Sequence, residues 1–239
     1  MLFLRSVLFY LGMWIITLPL GIATPALMPF KPATRYRYLT IWGKTVLAWL
    51  RFTCNIRHEV EGREHIPAQA SVILAKHQST WETIAFQGIF PTQTWVLKRE
   101  LLRIPLFGWG LAACWPVAID RTAGKEALRQ VVDQGKERLA NGFWMVVFPE
   151  GTRMAPGARG RYAVGGALLA EKAGVPVVPV AHNAGEHWPR GRLLKFPGTI
   201  KVVIGPPIET RGRKASEINA LTEEWIEGTM SRISTPSGS

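Results

Sequence analysis

Cysteine is scarce in this sequence, and its scarcity excludes several kinds of site. The 239 residues contain only two cysteines, Cys54 and Cys114. Two isolated cysteines form neither a metal-type spacing nor a disulfide framework, so we expect a protein of a reducing compartment. Neither cysteine lies in a catalytic motif, and the sequence contains no G-x-S-x-G element. No motif therefore indicates a catalytic nucleophile.

Acidic residues are also few, and the resulting charge indicates a polyanionic partner. The chain has 29 Lys and Arg residues against 17 Asp and Glu, which gives a formal net charge of +12. Such a chain is expected to bind nucleic acid, an anionic membrane surface or phosphorylated ligands. Apolar residues make up 47% of the chain, and ten residues are tryptophan. This apolar content favours membrane lipids as partners and argues against nucleic acid.

The N-terminal region contains a long uncharged run over residues 6–30. The run is long enough to cross a bilayer once, but three prolines interrupt its second half. Basic residues flank it, and a second apolar stretch over residues 38–56 carries Lys44 and Arg51. This pattern predicts a membrane-associated helical hairpin with both ends on the cytoplasmic face. The alternatives are a single transmembrane helix and a secretory signal peptide, although no clear cleavage site follows the run.

Apolar runs and amphipathic stretches alternate in the rest of the chain. Residues 57–67 are polar and predict a turn, and the first buried strand is predicted over residues 71–75. The alternation predicts an α/β domain with a largely parallel central sheet flanked by helices. We therefore divide the chain into a membrane-anchoring helical segment (1–56), an α/β catalytic domain (57–234) and a disordered tail (235–239).

Polar residues cluster where the predicted strands end. Parallel strands end at one edge of a sheet, where open α/β sheets bind their ligands, so these residues are expected to converge. Lysine and arginine at such an edge indicate an anion site, and a glycine there lets backbone amides approach a ligand. The residues are His77, Lys98, Arg99, Arg121, Glu150, Gly151, Thr152, Arg153, His182 and Asn183.

The pair formed by His77 and Glu82 has two interpretations. Glu82 would lie in the first turn of a helix over residues 79–90, where side chains point back toward the helix N-terminus. There it can orient His77 as a catalytic base. It can equally accept from the backbone of Ser79 in a capping box. One carboxylate can serve both purposes, and the letters alone do not separate them.

Four sequence blocks together resemble the 1-acylglycerol-3-phosphate acyltransferase family. "HQSTWE" resembles its His-x4-acid motif, and "KRELLRIPLFGWG…VAIDR" resembles its second block. "FPEGTR" matches its third block letter for letter, and "VPVVPV" is similar to its fourth. The blocks follow the family's order over roughly residues 70–185. Two positions depart from the family pattern: Glu82 stands where Asp is usual, and Ala163 stands where Lys is common.

The resemblance implies transfer of an acyl group from acyl-CoA or acyl-carrier protein to the 2-hydroxyl of lysophosphatidate, which gives phosphatidate. His77 and Glu82 are then the catalytic base and its partner. Direct transfer is expected, with no metal or bound cofactor. Binding of the acceptor and its phosphate is assigned to Lys98, Arg99, Arg121 and Arg153, with Glu150, Gly151 and Thr152 in the same loop.

Two alternative functions remain open at this stage. An acyltransferase of the same superfamily would use glycerol 3-phosphate or another lysolipid as its acceptor. A non-catalytic membrane protein that binds anionic lipids would explain the charge and the apolar N-terminus, but it would not need the His-x4-acid and FPEGTR motifs. The expected location is the cytoplasmic face of the cell inner membrane.

Overall fold

Two helices open the chain, and strands and helices then alternate. The computed structural model describes residues 1–234; the predicted tail over 235–239 lies outside the described residues, as does the side chain of Arg121. The helices are α1 (Leu2–Leu27), α2 (Pro32–Cys54), α3 (Trp81–Ile89), α4 (Phe107–Ala113), α5 (Lys125–Ala140), α6 (Gly165–Ala173), α7 (Ala184–His187) and α8 (Ala215–Ile233). The strands are β1 (Ile56–Glu61), β2 (Val72–Ala75), β3 (Gln93–Lys98), β4 (Val117–Ile119), β5 (Trp144–Val147), β6 (Val177–His182) and β7 (Gly198–Ile204).

The seven strands form one sheet in the order β1-β7-β6-β2-β5-β3-β4. Every neighbouring pair is parallel except β6 and β7, so the predicted α/β class with a largely parallel sheet is confirmed. Strands β2 and β5 are buried along their whole length, as expected for strands covered by helices on both faces. The carboxyl ends of β6, β2, β5, β3 and β4 meet at one edge of the sheet.

The turn predicted over residues 57–67 is partly wrong, because most of its first half is strand β1. This strand pairs in parallel with β7, from Ile56 opposite Gly198 onward. It lies at the edge of the sheet, and the side chains of Arg57, His58 and Glu59 remain in water. Its polar composition is therefore typical of a loop, although its backbone hydrogen bonds with β7 make it a strand. The chain turns afterwards at Gly62, whose φ is +78°.

Helices α1 and α2 form the predicted hairpin. Trp49 Nε1 in α2 donates to the Leu8 and Phe9 carbonyls of α1 at 3.3 and 3.2 Å. Trp42 Nε1 donates to Thr17 Oγ1 at 3.0 Å, so the two helices run antiparallel. Both tryptophans thus form hydrogen bonds across the hairpin.

Helix α1 exposes much of its apolar surface. It is long enough and apolar enough to cross a membrane, yet only 17% of its most apolar window is buried. An exposed apolar face of this size marks an interaction surface. The exposed large apolar side chains of α1 include Phe3, Leu4, Leu11, Trp14, Ile15 and Ile22.

The N-terminal half of α1 is held to the α/β domain by Lys195. Its ammonium lies over the rings of Tyr10 and Trp188, 4.7 and 5.1 Å from the centroids. Its backbone amide donates to Ser6 Oγ at 2.9 Å. Burial lowers the pKa of Lys195 to about 8, and no carboxylate among the described residues forms an ion pair with it. Lys195 therefore holds the hairpin through cation–π contacts and a backbone hydrogen bond rather than through an ion pair.

Gly12 is required where the two helices of the hairpin cross. A Cβ atom at this position would lie 2.0 Å from Trp49 Nε1, whereas one at Gly228 of α8 would meet nothing within 4 Å. We expect Gly12→Ala to lower the free energy of unfolding by about 1–3 kcal/mol through overpacking. Gly228→Ala, the matched control, should raise it by about 0.5–1 kcal/mol, because alanine is the better helix former. Thermal unfolding in detergent measures both, and equal shifts would contradict this account of the crossing.

Candidate active site

His77 and Glu82 are brought together at the end of β2. His77 Nδ1 lies 2.8 Å from Glu82 Oε1. The same oxygen accepts from the backbone amides of Gln78 and Ser79 at 2.9 and 2.8 Å. Glu82 therefore caps the segment that precedes α3 and contacts the histidine at the same time. The two contacts expected from the sequence, with His77 and with the Ser79 backbone, are thus both made by one carboxylate oxygen.

The start of α3 is fixed by a second buried group, the hydroxyl of Ser79. Ser79 Oγ accepts from the Trp81 amide at 3.1 Å and donates to the Trp188 carbonyl at 2.7 Å. The helix begins at Trp81, two residues later than the sequence predicted. Three amides before or at the helix start, those of Gln78, Ser79 and Trp81, are thus already bonded within the protein.

The charge of Glu82 persists although its side chain is fully buried. Burial alone raises the pKa of this carboxyl, but the imidazoles of His182 and His77 and the Ser79 amide outweigh burial and hold the pKa below its usual value. A carboxylate at this position accepts a hydrogen bond from the Nδ1–H group of His77. The unprotonated nitrogen of a neutral His77 is then Nε2.

The ring of His77 is held against Phe148 and faces a large cavity. The two rings stack with centroids 4.0 Å apart and planes 13° from parallel. The side chain of His77 is 15% exposed and lines a cavity of about 850 Å³. This cavity lies between the hairpin, α3, α4, α5 and the carboxyl edge of the sheet. Most of its lining is apolar, including Leu20, Leu39, Trp42, Leu111, Leu128 and Val131.

The cavity lining includes cationic side chains, and two of the four predicted cations are among them. Lys98 and Arg153 both line the cavity. Arg99 does not; it is exposed, and its Nη2 lies 3.5 Å from Gln130 Oε1. The side chain of Arg121 is outside the described part of the chain. Arg99 is therefore less suited to a phosphate in the cavity than Lys98 and Arg153.

The FPEGTR loop reaches the cavity through Gly151, Thr152 and Arg153. Gly151 has a φ of +64°, a conformation that glycine adopts without strain. Arg190 was not predicted from the sequence; it lines the cavity and donates to Thr152 Oγ1 at 3.0 Å and to the Arg153 carbonyl at 3.1 Å. Ala163 also lines the cavity at the position where the family commonly has Lys. Arg190 thus supplies a cation that the four motif blocks do not contain.

Glu150 lies beneath the loop rather than in the cavity, which corrects its assignment to substrate binding. Its buried Oε1 is 2.7 Å from Lys76 Nζ, and its Oε2 accepts from the His77 amide at 2.9 Å. Both oxygens are occupied, so this carboxylate supports the loop instead of contacting a substrate. Lys76 was missed because a lysine beside a motif is usually solvated. Its position directly after a buried strand was the available signal.

The polar groups at the end of β6 are also structural. His182 is fully buried, its Nε2 lies 2.8 Å from the Lys76 carbonyl, and burial lowers its pKa. Asn183 bonds to Glu186 at 3.0 Å and to the Lys201 amide at 2.8 Å. Neither lines the cavity. These two of the polar residues expected to converge on the ligand site therefore support the sheet edge instead.

The described residues offer no metal site and no activated thiol. No group of three or more His, Cys, Asp or Glu side chains suited to a metal occurs within residues 1–234. Cys114 lines the cavity, but burial raises its pKa to about 12, so it is a thiol at neutral pH. A thiol in that state is a poor nucleophile.

Comparison with known proteins gives consistent matches along the chain. A family described as Acyltransferase matches residues 57–183. A 1-acyl-sn-glycerol-3-phosphate acyltransferase of Pseudomonas aeruginosa is 45% identical over 97% of this chain and 92% of its own length. The alpha form of the human enzyme is 28% identical over 75% of this chain and 65% of its own.

A crystal structure supports the same relationship at the level of the fold. The 1-acyl-sn-glycerophosphate acyltransferase of Thermotoga maritima superimposes with a TM-score of 0.76 and 27% identity, covering 96% of this chain and 94% of that one. The match therefore includes the hairpin as well as the α/β domain. With the His-x4-acid pair, the FPEGTR loop and the sheet all in place, the chain belongs to the family of 1-acyl-sn-glycerol-3-phosphate acyltransferases.

Proposed function

We propose that the protein transfers a fatty acyl group from an acyl thioester to the 2-hydroxyl of 1-acyl-glycerol-3-phosphate and so forms phosphatidate. The observation that carries this proposal is the His77–Glu82 pair, which faces a cavity that is mainly apolar but has cations in its lining. Such a cavity suits a ligand with an acyl chain and a phosphate. The donor is acyl-CoA or acyl-carrier protein, and the chain uses no bound cofactor.

His77 acts as the general base in this reaction. An alcohol is a weak nucleophile near neutral pH, so its proton must be removed as it attacks the thioester carbonyl. Nε2 takes that proton, while the Nδ1–H bond to Glu82 fixes the tautomer and the negative charge of Glu82 stabilises the imidazolium. When the tetrahedral intermediate collapses, the C–S bond breaks and the imidazolium returns the proton to the leaving thiolate.

The remaining polar groups bind the charged parts of the reactants. We assign the acceptor phosphate to Lys98, Arg153 and Arg190, because all three line the cavity and Arg153 offers a forked donor to phosphate oxygens. Thr80 lines the cavity at the N-terminus of α3. Its amide has no acceptor in the part of the chain that the structure describes, and it is suited to stabilise the oxyanion.

The acceptor enters from the membrane in this proposal. The exposed apolar face of α1 lies in the cytoplasmic leaflet of the inner membrane, and α1 also lines the cavity through Thr17, Leu20 and Thr24. A lysolipid can then reach His77 without leaving the bilayer. Glycerol 3-phosphate has no acyl chain to occupy this route, so a lysolipid acceptor is favoured. A lipid-binding protein without activity would not need the buried pair.

Purified protein and labelled acyl donors test the function. We expect lysophosphatidate to be acylated, and glycerol 3-phosphate and lysophosphatidylcholine to be poor acceptors, with acyl-CoA and acyl-carrier protein compared as donors.

His77→Ala should lower kcat by about 10²- to 10⁴-fold, the usual contribution of a positioned general base. A variant that kept more than about a tenth of wild-type kcat would exclude His77 as the base.

Glu82→Gln separates the electrostatic role of Glu82 from its capping role. Glutamine retains an oxygen that can accept from the Gln78 and Ser79 amides, so stability should change by less than about 1 kcal/mol. The negative charge beside His77 is lost, and kcat should fall by at least about a hundredfold. Glu82→Asp, which restores the charge, should be milder. A stable and fully active Glu82→Gln enzyme would reduce Glu82 to a cap.

Arg153→Gln and Arg99→Gln form a matched pair for the phosphate. Both remove one positive charge, but only Arg153 lines the cavity. We expect Arg153→Gln to raise KM for lysophosphatidate by about tenfold or more and to change KM for the acyl donor little, because a charge-assisted phosphate contact contributes about 1.5–3 kcal/mol. Arg99→Gln should leave both values near those of the wild type. Equal effects of the two variants would remove the assignment of Arg153.

A further inference from the structure

Lys76 is a buried lysine with a complete set of acceptors. Its side chain is 1% exposed, although it lies next to His77 in the sequence. Its ammonium contacts Glu150 Oε1 at 2.7 Å, Glu227 Oε1 at 2.8 Å and the Ala158 carbonyl at 3.1 Å. These contacts use all three N–H donors of an ammonium. The lysine therefore ties the FPEGTR loop to helix α8, which carries Glu227.

The same group of contacts fixes the backbone of His77. Glu150 Oε2 accepts from the His77 amide at 2.9 Å, and the His77 carbonyl accepts from the Met154 amide at 2.7 Å. Lys76 is itself held by its amide, which donates to the Val180 carbonyl at 3.0 Å. The peptide that carries the base is thus bonded on both sides to the loop, and the ammonium of Lys76 holds that loop through Glu150.

Charge makes the geometry of this cluster sensitive to Lys76. Two carboxylates lie within 3 Å of a single ammonium, and the Tyr162 hydroxyl donates to Glu227 Oε1 at 2.8 Å. Burial, together with the neighbouring Glu227, raises the pKa of Tyr162, so it stays a neutral donor. Without the lysine, the fully buried Glu150 would lose its counter-ion and would have to move or take up a proton.

We propose that Lys76 is a positioning residue for the reaction: through Glu150, its ammonium sets the place of the His77 backbone and thereby the alignment of the imidazole with Glu82 and the cavity. Lys76 touches neither substrate nor reacting atoms. The inference rests on the proposed function, in which His77 is the base. Displacement of a reacting group by about 1 Å can cost about a hundredfold in rate, so a buried contact of this kind has a measurable effect.

Glu150→Gln provides the first test, because it is isosteric with the native residue. An amide cannot accept with both of its polar atoms, so either Lys76 or the His77 amide loses its acceptor. We expect kcat to fall by about a hundredfold, with KM for lysophosphatidate nearly unchanged. Lys76→Met should give the same pattern. If Lys76→Met does not fold, Glu150→Gln alone decides, since it alters only one atom of the side chain.

Two controls separate positioning from a loss of stability. Glu223→Gln removes a charge from the same helix α8, where Glu223 pairs with Arg159 rather than with Lys76. Thr210→Val removes a partly buried hydrogen bond to the Val175 carbonyl, outside this cluster. Both should retain wild-type kcat per folded molecule. If kcat followed thermal stability across all four variants, the role of Lys76 would be structural only.

A spectroscopic readout tests the alignment independently of turnover. The His77 Nδ1 proton, shared with Glu82, should give a downfield NMR resonance in the full-length protein that His77→Ala abolishes. Glu150→Gln and Lys76→Met should shift or remove this resonance, and the two controls should keep it. An unchanged resonance with unchanged kcat in Glu150→Gln would overturn the proposal. If the wild-type protein failed to acylate lysophosphatidate, the proposed function would fall, and the resonance alone would decide the position of His77.

Discussion

A single carboxylate oxygen organises the site. Oε1 of Glu82 is buried and accepts three N–H groups, from the His77 ring and from the Gln78 and Ser79 backbone. A buried charge is costly unless hydrogen bonds and nearby charges compensate it, so these three bonds also stabilise the conformation of the chain between β2 and α3. The hydrogen bonds that stabilise the buried carboxylate also orient the His77 imidazole. Stability and chemistry therefore depend on the same atoms.

The sheet and the hairpin contribute different parts of the site around that oxygen. The sheet edge supplies the polar groups, since β2, β3 and β5 end at His77, Lys98 and the FPEGTR loop. The hairpin supplies apolar walls. It is joined to the sheet by packing and by the two aromatic rings, of Tyr10 and Trp188, that contact the Lys195 ammonium. The carbonyl of Trp188 also accepts from Ser79 Oγ. The hairpin and the segment that carries His77 and Ser79 are thus linked through one tryptophan.

The sequence predicted the architecture well where its patterns were local. Alternating apolar runs indicated the parallel sheet, and the uncharged N-terminal stretch indicated the hairpin. The edge strand β1 was missed because its side chains face water, so its composition did not reveal its backbone pairing. Within the site, the spacing of His77 and Glu82 indicated their contact. The sequence did not predict the positions of the Lys76, Arg190 and Glu150 side chains. Their partners, such as Glu227, are distant in sequence, and no local pattern encodes such a pairing.

The sheet order has a consequence for biosynthesis. Strand β1 follows the hairpin directly, but it pairs with β7 alone, which is made near the end of the chain. The central strand β2 likewise waits for β5 and β6. The ribosome therefore releases the apolar hairpin long before the domain that covers part of it can close. During that interval the apolar surface of the hairpin has no sheet to pack against, so it needs another apolar environment, such as a bilayer, before the α/β domain is complete.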